Sequence, residues 1–220
     1  MTITFLGTGT SQGVPVIGCR CEVCSSLDYR DKRLRSSVHI RVNDLSLVID
    51  TGPDFRQQML RENIQRLDAV LFTHAHRDHT AGLDDVRAYN FLQNMDMPVY
   101  ATQETLHQLT NDFAYIFEAH YYPGLPRLDL RTITESSFSI HEVEITPLPV
   151  THLKLPVIGF RIGDFSYITD ANHISEETYQ KLTGTKILVL NALQQEPHVS
   201  HFTLQQAIEA AQKVKADKTY

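Results

Sequence analysis

Tryptophan is absent from this chain of 220 residues, and cysteine occurs only three times. So few thiols, and an odd number of them, exclude the disulfide framework that holds small secreted domains together. The fold must rest on apolar burial instead, and a chain of this length can bury a sizeable core. Positive charge is also in deficit. Twenty Lys and Arg against 26 Asp and Glu leave a net charge of −6, which argues against a tight, nonspecific grip on nucleic acid or an anionic membrane. No apolar run approaches the roughly 18 residues of a membrane span, and Met1-Thr2-Ile3-Thr4-Phe5 lacks the charged and apolar regions of a signal peptide. These absences set the expectation of a cytoplasmic enzyme with no membrane partner. Repeats, low-complexity tracts and linker compositions are missing too, so residues 1–220 are expected to form a single domain. The glycine-rich turn Gly7-Thr8-Gly9-Thr10-Ser11-Gln12-Gly13 lacks the Gly-Lys-Ser/Thr end of a P-loop and the spacing of a dinucleotide fingerprint. Its small residues are expected to let the backbone pass close to a site rather than to cradle a nucleotide.

What the sequence does contain is concentrated at Thr73-His74-Ala75-His76-Arg77-Asp78-His79. The short apolar run Ala69–Phe72 before it reads as a buried strand, and apolar residues at 83, 86, 88, 91 and 92 after it recur at helical spacing. The histidines therefore occupy a strand-to-helix loop. In extended backbone, residues two apart project the same way, so His74 and His76 can offer ring nitrogens to one ion, while Asp78 and His79, past the turn, reach a neighbouring position. Imidazole and carboxylate together suit zinc, manganese or iron. Crowding such groups without a compensating partner is costly, which favours a metal over a chance polar loop.

Three further positions share the pattern of a ligating side chain at a strand's end. Asp50 follows the apolar strand 45–49 and is placed to orient a ligating histidine. His152 follows Pro147-Leu148-Pro149-Val150-Thr151 and is a candidate third imidazole for the first ion. Asp170 follows 165–169, and its two oxygens could bridge cations about 3.5–4 Å apart. His201 lies just ahead of a capping box, Thr203-Leu204-Gln205-Gln206, opening a helix through Lys215 whose N-terminus favours an anion. Cys19-x-Cys21-x-x-Cys24 is too tight for ordinary disulfides and suggests thiolate ligation of a structural zinc, with a histidine elsewhere as the fourth ligand. The run Arg30–Arg35 is a solvated face or a greeting surface for phosphate. Helices are expected at 55–67 and 103–109. In the aromatic stretch Phe113, Tyr115, Phe117, His120, Tyr121 and Tyr122, Phe113 and Phe117 are expected to pack on the core, the tyrosines being candidates for a wall over the site.

His-x-His-x-Asp-His is the signature of the metallo-β-lactamase superfamily, and His74–His79 resembles it at every position. Taken with Phe5–Pro15, the Cys19/Cys21/Cys24 cluster, Leu47–Asp54, Thr151-His152, Thr169-Asp170 and His201, the chain resembles the PhnP-like phosphodiesterases, relatives of the tRNA 3′-processing nuclease ribonuclease Z. The resemblance implies an α/β, four-layer αββα sandwich with a two-metal site at the sheet edges. It implies hydrolysis of phosphodiesters, in the best-known case a ribosyl cyclic phosphate formed during phosphonate breakdown. Carried onto this sequence, it puts His74, His76 and His152 on one ion, Asp78 and His79 on the other, and Asp170 between them. A bridging hydroxide, its pKa lowered from about 15.7 toward about 7, would attack, with Asp78 holding the second ion in place. His201 would stabilise the transition state or protonate the leaving oxygen, its alternative role being a helix cap. The cofactors implied are two divalent ions, Zn or Mn or else Fe, plus the structural Zn.

The family pattern also runs on past Tyr220 into a strand carrying two more histidines. The expectation is a shortened form lacking its C-terminal strand; otherwise His39, His198 or the second subunit of a homodimer supplies those ligands. A small cyclic or nucleotide-like phosphodiester is the expected substrate. A ribonuclease Z-like role is less favoured because no basic insertion grips RNA, and a non-catalytic zinc-binding interaction protein is the remaining alternative.

Overall fold

The computed structural model describes residues 1–118 and 122–220; His120 and Tyr121 of the aromatic stretch lie outside the described residues. The chain divides into two compact units, Met1–Thr132 and Ile133–Tyr220, each with a sheet of its own.

In the first unit the elements run β1 (Thr2–Gly7), α1 (Glu22–Ser25), β2 (Ser37–Val42), β3 (Leu45–Ile49), α2 (Phe55–Arg61), β4 (Ala69–Leu71), α3 (Arg77–Thr80), α4 (Arg87–Gln93), β5 (Met97–Ala101), α5 (Gln103–Asp112), α6 (Ala114–Phe117) and β6 (Leu128–Thr132). The six strands lie in sequence order. β1, β2 and β3 pair antiparallel, while β3 to β6 pair parallel. The β2–β3 hairpin turns at Asn43, whose φ of 52° is a left-handed conformation that asparagine tolerates better than most residues. All three residues of β4 are buried, as a near-continuous apolar run in a parallel sheet should be. Val48, Val70, Phe72, Phe55, Leu83 and Val86 join the core that covers one face, each such side chain contributing on the order of 2 kcal/mol.

Three expectations are corrected here. Helix α2 stops at Arg61 rather than running to Leu67, because Asn63 turns left-handed with φ 50° and Ile64 N–H donates back to Met59 O at 3.0 Å, a C-terminal cap that closes the helix. The helical pattern after the histidine loop is broken into α3, a 3₁₀ turn at Leu83–Val86 and α4. Phe113 is buried, but Phe117 is 40% exposed: the chain leaves the helix at Phe113, with φ −116°, so the i, i+4 relation does not carry Phe117 onto the core.

In the second unit β7 (Phe138–Ile140), β8 (Val143–His152), β9 (Leu155–Ile162), β10 (Phe165–Ile168), β11 (His173–Ile174), α7 (Glu176–Lys181), β12 (Ile187–Leu190), α8 (Leu204–Val214) and β13 (Lys218–Thr219) follow. The sheet order is β11-β8-β9-β10-β12-β13, with β7 also on β8. β8 runs straight through Pro147 and Pro149. Between its pairings with β7 and β11 it has β9 alone as partner among the described residues, so this stretch is locally an edge, where a missing N–H costs no ladder bond. Helix α8 opens on the expected capping box: Gln206 N–H donates to Thr203 Oγ1, and Thr203 N–H to Gln206 Oε1. Leu148, Val157, Ile168, Leu188, Phe202 and Ala207 form this unit's core.

Candidate metal centre

The histidine loop leaves the carboxyl end of β4, the edge at which open parallel sheets hold ligands. Asp50, the residue directly after β3, is fully buried and organises the loop. Its Oδ1 accepts from Thr73 N–H at 2.9 Å and its Oδ2 from Thr73 Oγ1 at 2.8 Å. Oδ2 also lies 2.7 Å from His79 Nδ1. Since a carboxylate can only accept, His79 carries its proton on Nδ1 and turns Nε2 outward as a lone-pair nitrogen. Thr73 Oγ1 has spent its single proton on Asp50, so at 2.9 Å it must accept from His74 Nδ1. His74 is thereby fixed in the same tautomer. One carboxylate thus orients two imidazoles, one directly and one through a hydroxyl. The His74 ring lies 4.5 Å from His76 and 4.4 Å from His79, centroid to centroid, and His79 Nε2 is 3.4 Å from Asp78 Oδ2. Burial pushes the Asp50 carboxyl up, opposed by His79 and the Thr73 bonds.

The loop is held close to the chain after β3. Thr51 N–H donates to His79 O and Gly82 N–H to Thr51 O, each at 2.8 Å. A Cβ on Gly52 would sit 2.2 Å from Asp78 O, so only glycine permits this approach. Asp54 instead anchors Arg35, through Oδ2 to the Arg35 amide at 2.9 Å and Oδ1 to its guanidinium at 3.0 Å. Of the basic run, Arg30 pairs with Asp28 and Lys32 Nζ donates to Ser26 O.

In the second unit, ligand atoms of His152, Asp170 and His201 lie within 4.8 Å of one another. His152 Nδ1 is 2.8 Å from Ser200 O; a carbonyl only accepts, so this imidazole too presents Nε2. His201 Nδ1 is 3.4 Å from Asp170 Oδ1, and its ring is 4.6 Å from that of His152. The same geometry would let His201 serve as a ligand as readily as an acid. His198 is exposed, its Nδ1 accepting from Ser200 N–H at 3.3 Å, and its ring is 5.1 Å from His201. His39, the other substitute ligand considered, is buried on β2 with Nε2 2.8 Å from Ser46 Oγ.

The three cysteine sulfurs also lie within 4.8 Å of one another, and zinc–sulfur bonds of about 2.3 Å place tetrahedral thiolates about 3.8 Å apart. Cys21 caps α1, and the Cys24 amide donating to its sulfur holds the Cys21 thiol below its ordinary value. Three imidazoles and a carboxylate in one unit, two imidazoles and a carboxylate in the other, and a thiolate trio are donor sets that fit divalent ions. The expectation missed Thr73 and Ser200. Nothing in the spacing marks the Thr73 hydroxyl as a partner of Asp50, and a backbone carbonyl has no sequence signal at all.

A family model described as the beta-lactamase superfamily domain matches residues 46–220. A crystal structure of a new diphosphatase from the PhnP family superposes with a TM-score of 0.92 at 40% identity, over 99% of this chain and 84% of that one. The chain belongs to the PhnP family of the metallo-β-lactamase superfamily. It therefore has the metallo-β-lactamase fold. A Porphyromonas gingivalis protein named octanoyltransferase is 40% identical over 213 residues, 95% of this chain and 43% of that protein. The chain spans less than half the length of the curated relatives it matches. The short form of human tRNase Z shares the fold, with a TM-score of 0.71 at 17% identity over 99% of this chain and 90% of the other. No helix among the described residues is long and apolar enough to cross a membrane.

Proposed function

We propose that this PhnP-family member hydrolyses a small phosphodiester, cyclic or nucleotide-like, with its His and Asp side chains as ligands of two divalent ions. The observation that carries the reading is the tautomer fixing at His74, His79 and His152, each held through Nδ1 so that Nε2 is presented. A core histidine needs no such uniformity, whereas a ligand does. One family model, over residues 46–220, takes in the second unit and most of the first, which supports treating them as parts of one domain. The relative named a diphosphatase widens the leaving group from a sugar oxygen to a second phosphate.

When bound, two divalent ions would supply Lewis acidity and a nucleophilic oxygen at neutral pH. His74, His76, Asp78, His79, His152 and Asp170 would hold these ions. Zinc or manganese fits this mixed set, and a structural zinc fits Cys19, Cys21 and Cys24. Asp50 keeps the imidazoles in register while the phosphate charge builds. His201 would give its proton to the departing oxygen, a task worth about 10²–10⁴-fold.

A substrate series tests this. Bis(p-nitrophenyl) phosphate, a nucleoside 2′,3′-cyclic phosphate and a dinucleoside diphosphate should be turned over in a metal-dependent way, while a precursor tRNA should not. His201→Ala should retain its metal and lose far more rate on the poor alkoxide leaving group than on p-nitrophenolate. Equal losses on both, or loss of metal, would reassign His201 to ligation; cleavage of precursor tRNA in preference to every small diester would overturn the substrate class.

A further inference from the structure

Three segments far apart in sequence carry His152, Asp170 and His201: the end of β8, the turn after β10 and the approach to α8. β8 and β10 are not neighbours, since β9 lies between them, and only the two-residue β8–β11 ladder, at His173–Thr151 and Ile174–Val150, ties the ends carrying His152 and Asp170 directly. Two asparagine side chains add to that tie, beside the Asn172 backbone. Asn172 straddles His152: its N–H donates to Thr151 O at 2.9 Å, and its Oδ1 accepts from Leu153 N–H at 3.0 Å. Its Nδ2 donates to Val199 O at 3.1 Å, one residue before the carbonyl that fixes the His152 tautomer. Asn191, directly after β12, grips the Ala171 peptide on both sides, with Oδ1 accepting from Ala171 N–H at 2.8 Å and Nδ2 donating to Ala171 O at 2.9 Å. That carbonyl also accepts from Phe202 N–H at 2.8 Å, the residue after His201. Asp170 itself sits left-handed, with φ 51°, a conformation that needs its neighbours held.

We propose that Asn172 and Asn191 are positioning residues that register His152, Asp170 and His201 for metal binding and turnover. The inference rests on the metal-dependent reading above. Each carboxamide offers a donor and an acceptor at once, Asn191 to the two polar backbone atoms of Ala171 and Asn172 to Leu153 and Val199; aspartate has no donor at neutral pH, and glutamine is a methylene longer. Both polar atoms of each asparagine side chain are engaged with the backbone. Their effect passes through the three side chains they bracket, and displacement of a reacting group by an ångström can cost about 10²-fold.

A matched control is available in Asn90, which makes the same kind of clamp in the first unit, to Met95 O and to both polar atoms of the Arg127 backbone, each at 2.9 Å, and touches no candidate ligand. Asn172→Ala, Asn191→Asp and Asn90→Ala would be compared by chelator competition for Zn²⁺, by thermal midpoint of the metal-free protein, and by kcat and KM on bis(p-nitrophenyl) phosphate. Asn172→Ala and Asn191→Asp should bind Zn²⁺ at least about tenfold more weakly and lose kcat about tenfold at saturating metal with KM within about threefold. Asn90→Ala should lower only the midpoint. If the two test variants behave like Asn90→Ala, the inference is overturned while the function stands. A parent protein that neither binds metal nor turns over the diester would remove the reading beneath it and the inference with it. Should Asn191→Asp fail to fold, Asn172→Ala, on a partly exposed turn, decides.

Discussion

At the scale of single residues, Asp50 carries the sharpest expectation. Asp50→Asn replaces one acceptor oxygen with a donor in a pocket where the Thr73 amide, the Thr73 hydroxyl and His79 all donate, so either the Thr73 amide or the His79 and Thr73 hydroxyl pair must lose its partner and the histidine loop shift. Removing such an outer partner commonly costs about 10–100-fold in metal affinity, measurable by chelator competition. Thr73→Val should cost less, because only the His74 arm runs through its hydroxyl. Unchanged affinity in both would refute the relay. His39 gives a pH dependence. Ser46 Oγ lies 2.5 Å from Arg66 O and must donate to it, so His39 Nε2–H donates to Ser46. Burial, then the Arg41 charge, lowers this imidazole to about 4 against an ordinary 6.5, with Glu62 opposing. The unfolded chain therefore binds a proton between pH 6.5 and 4 that the native state does not, and stability falls as pH drops through that window. About 2 kcal/mol is expected after allowing for solvent screening. In urea melts at pH 7 and pH 4, His39→Gln, which can still donate to Ser46, should lose that much less than the parent; parallel losses would contradict the assignment.

At the scale of elements, the strand ends were legible because three apolar runs stop at polar residues of the site. β3 before Asp50, β4 before His74 and β10 before Asp170 each read as a short apolar run with a polar terminus. The turns between them were not. Helix α2 ends where Asn63 goes left-handed, and the pattern from 83 to 92 breaks into a 3₁₀ turn and α4, both choices made by backbone conformation rather than hydrophobic period. The full length of β8 is hidden in the sequence because its two prolines look like breakers until the missing partner at that edge is known. Two substitutions test what holds the elements. Thr203→Ala removes the α8 cap and should cost about 1 kcal/mol in denaturant unfolding, with metal binding unaffected. Gly52→Ala forces a Cβ to 2.2 Å from Asp78 O, a backbone atom that cannot rotate away. The histidine loop must shift, so metal affinity should fall with the stability; a variant as tight and as stable as the parent would show the approach is not closed.

At the scale of the whole molecule, the histidine signature announces a metal site because few other reasons exist to gather so many imidazoles. The frame that supports it was silent in the sequence: Thr73, Ser200 O, Asn172 and Asn191 are ordinary polar positions whose partners are fixed only by folding. The charge balance of −6 speaks to the partner rather than to the fold, favouring a small substrate over a polyanion. The central claim, metal-dependent hydrolysis by the His/Asp set, is tested most directly by elemental analysis of the purified protein paired with bis(p-nitrophenyl) phosphate turnover before chelation, after chelation and after returning Zn²⁺ or Mn²⁺, with His76→Ala alongside. The expected result is two or three ions per chain, activity lost on chelation and restored by metal, and a His76→Ala protein that is folded but about 10²-fold or more slower. Turnover that survives complete metal removal, or a fully loaded protein inert toward every phosphodiester, would contradict the account.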